Sequence, residues 1–223
     1  MADTALLNLT YVFSNTLSVN RLDSKWGMDF SRLINYNKAL LTYGSQSTQT
    51  STWSLKGRFN FAKAYTFNLE QKFIDNSMNT PAFTNQNYTL TTLNTIPSVT
   101  YTNATKWRLT VGYNYQTTKN AEQYGGEKMN SNALNLDGKY NLLQNTSINA
   151  QFSLSNITYT GDVNSAVSYT ILQGLLPGKN YQWTINFTKR LLNNIEVSFQ
   201  YQGRKPGDTK IINIGTASVR AIL

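Results

Sequence analysis

Apolar and polar residues alternate with a period of two along most of this 223-residue chain. In one such stretch, Trp107, Leu109 and Val111 fall on one side, and Arg108 and Thr110 fall on the other. Successive side chains of a β-strand point to opposite faces of the sheet, so this period predicts strands with one apolar and one polar face. No segment shows a convincing helical period.

The alternation and the turn residues between alternating segments predict about eleven strands. They are expected near residues 5–20, 24–40, 50–62, 64–75, 87–102, 105–117, 130–142, 146–160, 180–190, 193–203 and 208–222. In the segment from Phe30 to Tyr43 the alternation is blurred, and we expect a strand with a bulge or the entry to a loop there. A second bulge or a sheet edge is expected at Pro97, because proline cannot donate to a β-ladder.

The connections between these strands alternate between short and long. Short turns are expected near Arg21–Asp23, Ala62–Ala64, Asn103–Ala104, Leu143–Asn145 and Leu191–Asn194. Longer polar loops are expected near 41–49, 76–86, 118–129 and 161–179. This arrangement is typical of membrane barrels, which have short turns on one side and longer loops on the other. It predicts an all-β, antiparallel, up-and-down transmembrane β-barrel, as a single domain over residues 1–223 or as the C-terminal segment of a larger barrel.

The composition of the polar face favours a membrane over water. Only 14% of residues are charged, well below the ~25% of ordinary soluble domains, and Asn, Thr, Ser and Gln take their place. Aromatic residues near strand ends are expected to form an interfacial girdle, and three of the tryptophans are expected to open strands. The candidates for this girdle are Trp26, Trp53, Trp107, Trp183, Tyr65 and Tyr101.

The number of predicted strands and the pattern of the last one indicate whether these strands could form a whole barrel. Single-chain bacterial barrels have even strand numbers, so eleven strands predict either a missing upstream strand or a twelfth strand at 165–174. We favour the first. Apolar residues at alternate positions of the last segment give it one apolar face, as a closing barrel strand would have. They are Ala217, Val219, Ala221 and Leu223.

Several classes of function are disfavoured by composition. The chain has no Cys and no His, which removes thiolate sites, the commonest general base and the commonest metal ligand. The net charge is +9, but Lys and Arg are scattered singly rather than clustered as nucleic-acid binding requires. There is no phosphate-binding or calcium-binding motif. Gly125-Gly126 and the segment Gly203–Gly207 are interpreted as loop tips. No secretory signal is recognisable at Met1, which suggests a mature or trimmed start.

Charged residues on the polar face are the candidate lining of a lumen. They are Lys56, Arg58, Glu70, Lys72, Arg108, Asp137, Lys139, Glu196 and Arg220. If they line an open pore, the excess of cations should favour anions weakly. If the lumen is plugged or structural, the charges pair with one another instead. Catalysis by the carboxylates is disfavoured, because nothing in the sequence indicates a raised pKa.

The last part of the chain resembles known proteins. The segments Tyr169-Thr-Ile-Leu-Gln-Gly-Leu-Leu-Pro-Gly-Lys-Asn180, Tyr201-Gln-Gly-Arg-Lys-Pro-Gly207 and Val219-Arg-Ala-Ile-Leu223, with Trp183 between the first two, are similar to the C-terminal ends of large cell-envelope proteins from Bacteroidota. This resemblance covers residues 169–223. It implies a Gram-negative outer membrane and a longer parent chain, and it brings no activity or catalytic residues.

Together these features predict an outer-membrane barrel protein that forms the wall of a channel, transporter or envelope complex, with a polar, mildly basic lumen. The expected partners are the lipid bilayer, lipopolysaccharide and other envelope proteins, with no nucleic acid and no cofactor. The alternative is a soluble or surface-exposed all-β binding module of the adhesin type. A lipid- or glycan-acting barrel enzyme is a weaker third hypothesis, and we expect no enzymatic activity.

Overall fold

The structure, a computed structural model, describes residues 8–20, 25–142, 145–191 and 195–221. These residues form one antiparallel sheet in which each strand pairs with its neighbours in the sequence, which confirms the all-β, up-and-down prediction. The strands are β1 (Asn8–Val19), β2 (Trp26–Leu41), β3 (Gly44–Phe61), β4 (Tyr65–Asn79), β5 (Tyr88–Asn103), β6 (Trp107–Asn120), β7 (Lys128–Leu142), β8 (Thr146–Thr160), β9 (Gly178–Arg190), β10 (Ile195–Lys205) and β11 (Ile212–Ala221).

Short connections lie at one end of the sheet, the turn end, and most long ones lie at the other, the loop end. The turn end includes residues 62–64 and 104–106. The loop end includes residues 80–87 and 121–127, each with a short 3-10 helix, and residues 161–177. The expected turns near Arg21–Asp23, Leu143–Asn145 and Leu191–Asn194 fall partly or wholly outside the described residues, as does Leu223.

The connection between β2 and β3 is tighter than predicted. The expected loop at 41–49 is wrong, because β3 already begins at Gly44 and only Thr42 and Tyr43 separate it from β2. The Ser, Thr and Gln residues at 45–51 continue the ladder with β2, so a polar composition here does not indicate a loop. The bulge expected between Phe30 and Tyr43 is also wrong, since β2 keeps one register with β1 and with β3 throughout.

Pro97 lies inside β5, which pairs with β4 on one side and with β6 on the other. The bulge or sheet edge expected at this position is therefore wrong. The pairing of Pro97 with Leu69 of β4 is continuous. Towards β6, the pairs Thr95–Tyr115 and Ser98–Gly112 share one register, with a gap only at residues 96 and 97. The sheet therefore accepts the missing donor as a local interruption of one ladder.

The segment 161–179 contains a helix, α1 (Ala166–Leu172), where the sequence predicted a polar loop or a twelfth strand at 165–174. The long connection expected here is present but contains this helix, and the alternative of a twelfth strand is wrong. Ser165 caps the helix by accepting a hydrogen bond from the backbone N–H of Ser168 at 3.0 Å, and Gln173 ends it in a left-handed conformation. Seven residues are too few to show a clear helical period in the sequence. Among the described residues, no helix is long and apolar enough to cross a membrane.

The two outer strands leave open edges in the described part of the sheet. β1 pairs only with β2, and β11 pairs only with β10. Both edge strands run from the loop end to the turn end, so a direct pairing between them would be parallel. The apolar alternation of β11 is confirmed over Ala217, Val219 and Ala221, which share the face of Val197 and Ile195 on β10.

A glycine on β10 makes room for a tryptophan. Gly203 is paired with Trp183 of β9, and a Cβ atom at Gly203 would overlap the indole ring. Gly203 thus belongs to a strand and is not part of a loop tip, whereas Gly125 and Gly126 do lie in a loop as predicted. The Trp183 indole ring covers the backbone of Gly203 and takes the space that a larger side chain at position 203 would occupy.

We predict that Gly203→Ala lowers the free energy of unfolding by about 1–3 kcal/mol, because the added methyl group displaces the Trp183 ring. Denaturant titration of the purified protein measures this. Gly215→Ala is the matched control, since a Cβ at Gly215 meets no atom within 4 Å. An equal effect of the two substitutions would contradict the close packing at Gly203.

Candidate functional site

The sheet curls around its polar face. Side chains from β5 to β11 line one cavity of about 840 Å³, and its polar lining includes Ser98, Thr110, Asn135, Gln151 and Thr184. Strands that are six positions apart in the sheet can share a cavity only if the sheet is strongly curved. The polar face is therefore concave and the apolar face convex, and we call the concave side the trough.

The convex face carries a continuous apolar band. On β6 the band runs from Trp107 to Tyr115, and in the neighbouring strand β7 it runs from Leu134 to Leu142. Large apolar side chains on this face are exposed; Phe59 is 49% and Leu109 47% accessible. An apolar surface of this extent is far larger than the scattered apolar residues of a soluble protein surface.

The band has a sharp border on the loop side. Beyond it, the convex residues of the same strands become polar, with Thr117 and Lys119 on β6. Corresponding positions on β3 to β5 and β7 to β9 are Ser51, Gln49, Asp75, Ser77, Thr91, Asn130, Lys128, Thr158 and Lys179. On β1 and β2 the apolar residues continue past this border, as at Phe13, Ile34 and Tyr36. Along β6 and β7 the band is close to the ~9–11 residues with which a tilted strand crosses the hydrocarbon of a bilayer.

Aromatic rings line the turn-end border of the band. The ring centroids of Tyr65 and Tyr101 are 5.1 Å apart, those of Phe61 and Tyr65 are 5.5 Å apart, and those of Trp107 and Tyr140 are 4.1 Å apart. Trp26 opens β2 and lies on the same border, paired with Phe59. The row is therefore nearly continuous from β2 to β7.

Two of the tryptophans do not open strands as predicted. Trp53 lies in the middle of β3, because the strand begins at Gly44. Trp53 marks the loop-side border of the band, because the next convex residue towards the loop end is Ser51. The Arg32 guanidinium stacks on the Trp53 ring, 4.4 Å from its centroid. Trp183 lies within β9 and packs over Gly203.

All nine predicted charged candidates lie on the trough face, in three groups. The first group is on β3 and β4, where Lys72 binds Glu70 at 3.1 Å. The second is on β6 and β7, where Arg108 contacts Asp137 at 3.5 Å. The third is at the turn end, where Arg220 binds Glu196. The candidates are Lys56, Arg58, Glu70, Lys72, Arg108, Asp137, Lys139, Glu196 and Arg220.

Glu196 is the most buried of these carboxylates, at 8% exposure. It accepts from Arg220 at 2.7 Å and from Arg190, which the sequence did not single out, at 3.2 Å. It also lines a second cavity of about 1320 Å³ at the turn end, together with Lys106 and Asn141. The turn-end mouth of the trough therefore carries more positive than negative charge.

Three buried asparagine side chains on the trough face have acceptors that water could bind. The side-chain carbonyl oxygens of Asn94, Asn114 and Asn149 are buried, and no donor among the described residues reaches them. Buried acceptors in native proteins bond to protein or to ordered water, so these three positions favour a hydrated trough. The sequence alternation placed these residues on the polar face but could not indicate their burial.

The apolar core of the described residues is small and lies inside the trough at the loop end. Val167, Ile171 and Leu172 of α1 are buried there against residues of β5, β7 and β8. We call this group the cap cluster: Tyr88, Leu90, Met129, Ile157, Val167, Ile171 and Leu172. Its strand residues lie on the polar face, which explains why apolar residues appear out of phase at the loop ends of the strands.

Buried asparagines hold the connections around the cap cluster. Asn87 accepts from the Thr80 N–H at 2.7 Å, and Asn120 accepts from the Thr89 N–H at 3.0 Å and donates to Glu127 at 2.7 Å. Asn180 is 1% exposed. The sequence analysis missed these residues, because asparagine is common along the whole chain and its spacing carries no signal.

Asn180 joins two connections. Its carbonyl oxygen accepts from the backbone N–H groups of Leu176 at 3.1 Å and Gly207 at 3.2 Å. Its amide nitrogen donates to the carbonyl oxygens of Leu176 at 2.8 Å and Gly178 at 3.0 Å. The segment after α1 is thereby fixed to the connection between β10 and β11.

Within the described residues, no three Asp or Glu side chains are grouped closely enough to hold a metal ion. The sequence matches no model of a known protein family, and no curated protein matches it. The function is therefore inferred from the two faces of the sheet and from the cap cluster.

We predict that Asn180→Ala lowers the free energy of unfolding by about 3 kcal/mol, because buried backbone groups lose their partners. Asn186→Ala, on the trough face of the same strand, should change it by less than about 0.5 kcal/mol. Denaturant titration of both variants measures the difference. Equal effects would show that the Asn180 hydrogen bonds do not hold the loop end.

We predict that Glu196→Gln lowers stability by about 1 kcal/mol, a modest loss because solvent screens the largely exposed guanidinium groups of Arg190 and Arg220. The loss should shrink at high salt. Glu122→Gln in an exposed position is the control. A loss that is independent of salt would contradict an electrostatic role for Glu196.

Proposed function

We propose that this chain forms part of the wall of an outer-membrane β-barrel, with the apolar band facing lipid and the trough facing water. The sign of the sheet's curvature carries this proposal. A soluble barrel or sandwich buries its apolar face on the inside and exposes its polar face. Here the polar face is concave and the apolar face is exposed on the convex side, which suits a protein surrounded by hydrocarbon.

A soluble adhesin-like module would need something to cover the convex face. Among the described residues there is one sheet, and α1 packs on its concave side. Nothing in this part of the chain shields Phe59, Phe67 or Leu109 from water. The bilayer supplies that cover without a second sheet, so we favour the membrane.

The orientation follows from the two ends of the sheet. In outer-membrane barrels the longer loops lie outside the cell and the short turns lie in the periplasm. We therefore assign the loop end to the cell exterior. Convex lysines lie on the loop side of the band, including Lys119, Lys128 and Lys179. Their position is that of the phosphate groups of lipopolysaccharide, which we propose as a partner.

The open edges favour a role as a wall segment. A barrel strand pairs on both sides, because an unpaired edge in lipid leaves backbone groups without partners. β1 contains no charged residue and no proline, which are the usual protections of a free edge. Since β1 and β11 run in the same direction, an odd number of further strands would close the barrel antiparallel. We propose that further strands or other envelope proteins provide them.

The proposal includes no enzymatic activity and no cofactor. Its assignment to a Bacteroidota envelope rests on the sequence resemblance of residues 169–223 alone. Extraction of the protein only with detergent, and a change in gel migration on heating, would support the barrel. A detergent-free soluble monomer would overturn it.

We predict that Val111→Lys, in the middle of the apolar band, destabilises the protein in lipid by about 2–4 kcal/mol, because it places a charge in hydrocarbon. Reversible unfolding in lipid vesicles measures this loss. Two matched controls should each cost less than about 1 kcal/mol. They are Thr110→Lys, which faces the trough, and Thr117→Lys, beyond the border of the band. A similar cost at all three positions would contradict the proposed lipid face.

A further inference from the structure

The loop end and the turn end of the trough differ in what fills them. At the loop end, Met129 is 3% exposed and Ile171 is 3% exposed, both within the cap cluster. Towards the turn end come the cavity of about 840 Å³ at mid-height and then the cavity of about 1320 Å³ at the mouth. Two cavities therefore lie between the turn end and the cap cluster.

The cap cluster spans a wide part of the loop end. α1 packs over residues of β5, β7 and β8, with Met78 of β4 at the border of the cluster. After the helix, Asn180 ties Leu176 to Gly207, in the connection between β10 and β11. The contacts thus extend along the inner side of the loop end from β4 to the connection before β11.

The helix is held in place at both sides. The single hydroxyl proton of Ser168 is shared between the carbonyl oxygens of Val163 at 2.6 Å and Ser165 at 2.7 Å. On the other side, the four hydrogen bonds of Asn180 fix the chain that leaves the helix. The buried apolar residues of α1 and the hydrogen bonds of Asn180 thus hold the helix and the chain after it against the sheet.

We propose that α1 closes the loop end of the trough, so that the trough is a blind vestibule that solutes enter from the turn end. This inference rests on the proposed membrane orientation and goes beyond it, because it decides which side of the membrane has access to the trough. The vestibule admits small polar solutes, and its cationic mouth, with Lys106, Arg190 and Arg220, favours anionic ones.

Single cysteines in this cysteine-free chain test the inference in lipid vesicles. A small sulfonated maleimide that cannot cross the bilayer is added outside. Asn85→Cys in a loop and Lys63→Cys in a turn are both exposed and report the fraction of molecules with each end outward. Ser153→Cys lines the mid-height cavity and reports access to the trough.

We expect Ser153→Cys to be labelled only in the fraction of molecules that exposes the turn end, matching Lys63→Cys. Labelling of all molecules, or of the fraction that exposes the loop end, would overturn the proposal that α1 closes the loop end. Val111→Cys keeps the two proposals apart. If the reagent labels Val111→Cys in the apolar band, the membrane assignment itself fails. If Val111→Cys is unlabelled but Ser153→Cys is labelled in all molecules, only the proposal that α1 closes the loop end fails.

A second comparison tests the role of α1 itself. Ile171→Asp places a charge in the cap cluster and should extend labelling of Ser153→Cys to the whole population. Tyr169→Asp changes a residue of the same helix that is 77% exposed and should leave the labelling unchanged. An unchanged labelled fraction in a folded Ile171→Asp variant would show that α1 is not what closes the loop end.

Discussion

The structure depends on an antiparallel sheet whose strands keep one register with each neighbour, so that polar side chains share one face and apolar side chains share the other. Because the side-chain period of a strand is two, one register fixes the face of every residue on both partners. The register holds through β2 despite blurred alternation and through β5 despite Pro97. Once the ladder curls around its polar face, all the apolar side chains of the band point outward together.

The outward apolar band and the inward cap cluster have the same physical origin. Each hides apolar surface from water, the band by facing the proposed bilayer and the cap by filling the loop end of the trough. The remaining trough is polar, and its carboxylates Glu70, Asp137 and Glu196 are paired with neighbouring cations. This division of the molecule supports the proposed lipid-facing wall, hydrated trough and closed loop end.

The sequence predicts the strands well, since period-two alternation repeats over most of them, and the nine charged candidates were placed on one face by it. The failures occur where a local pattern has two explanations. The polar run at 45–51 forms the loop-end part of β3. It resembles a loop in the sequence because its residues are polar on both faces of the strand. Helix α1 is too short to show a period, although Val167 and Ile171 are four residues apart and Ser165 is a suitable cap. The curvature of the sheet and the burial of Asn180 depend on distant strands, so no local pattern contains them.

Spin labels placed one at a time from Arg108 to Asn114 on β6, in protein inserted into lipid vesicles, test whether the convex face of the sheet contacts hydrocarbon. Oxygen concentrates in hydrocarbon and a nickel chelate stays in water, so their effects on each label report its surroundings. We expect high oxygen access at Leu109, Val111 and Tyr113 and higher nickel access at the positions between them. Nickel access at the three apolar positions, equal to that at their neighbours, would contradict a lipid-facing convex surface.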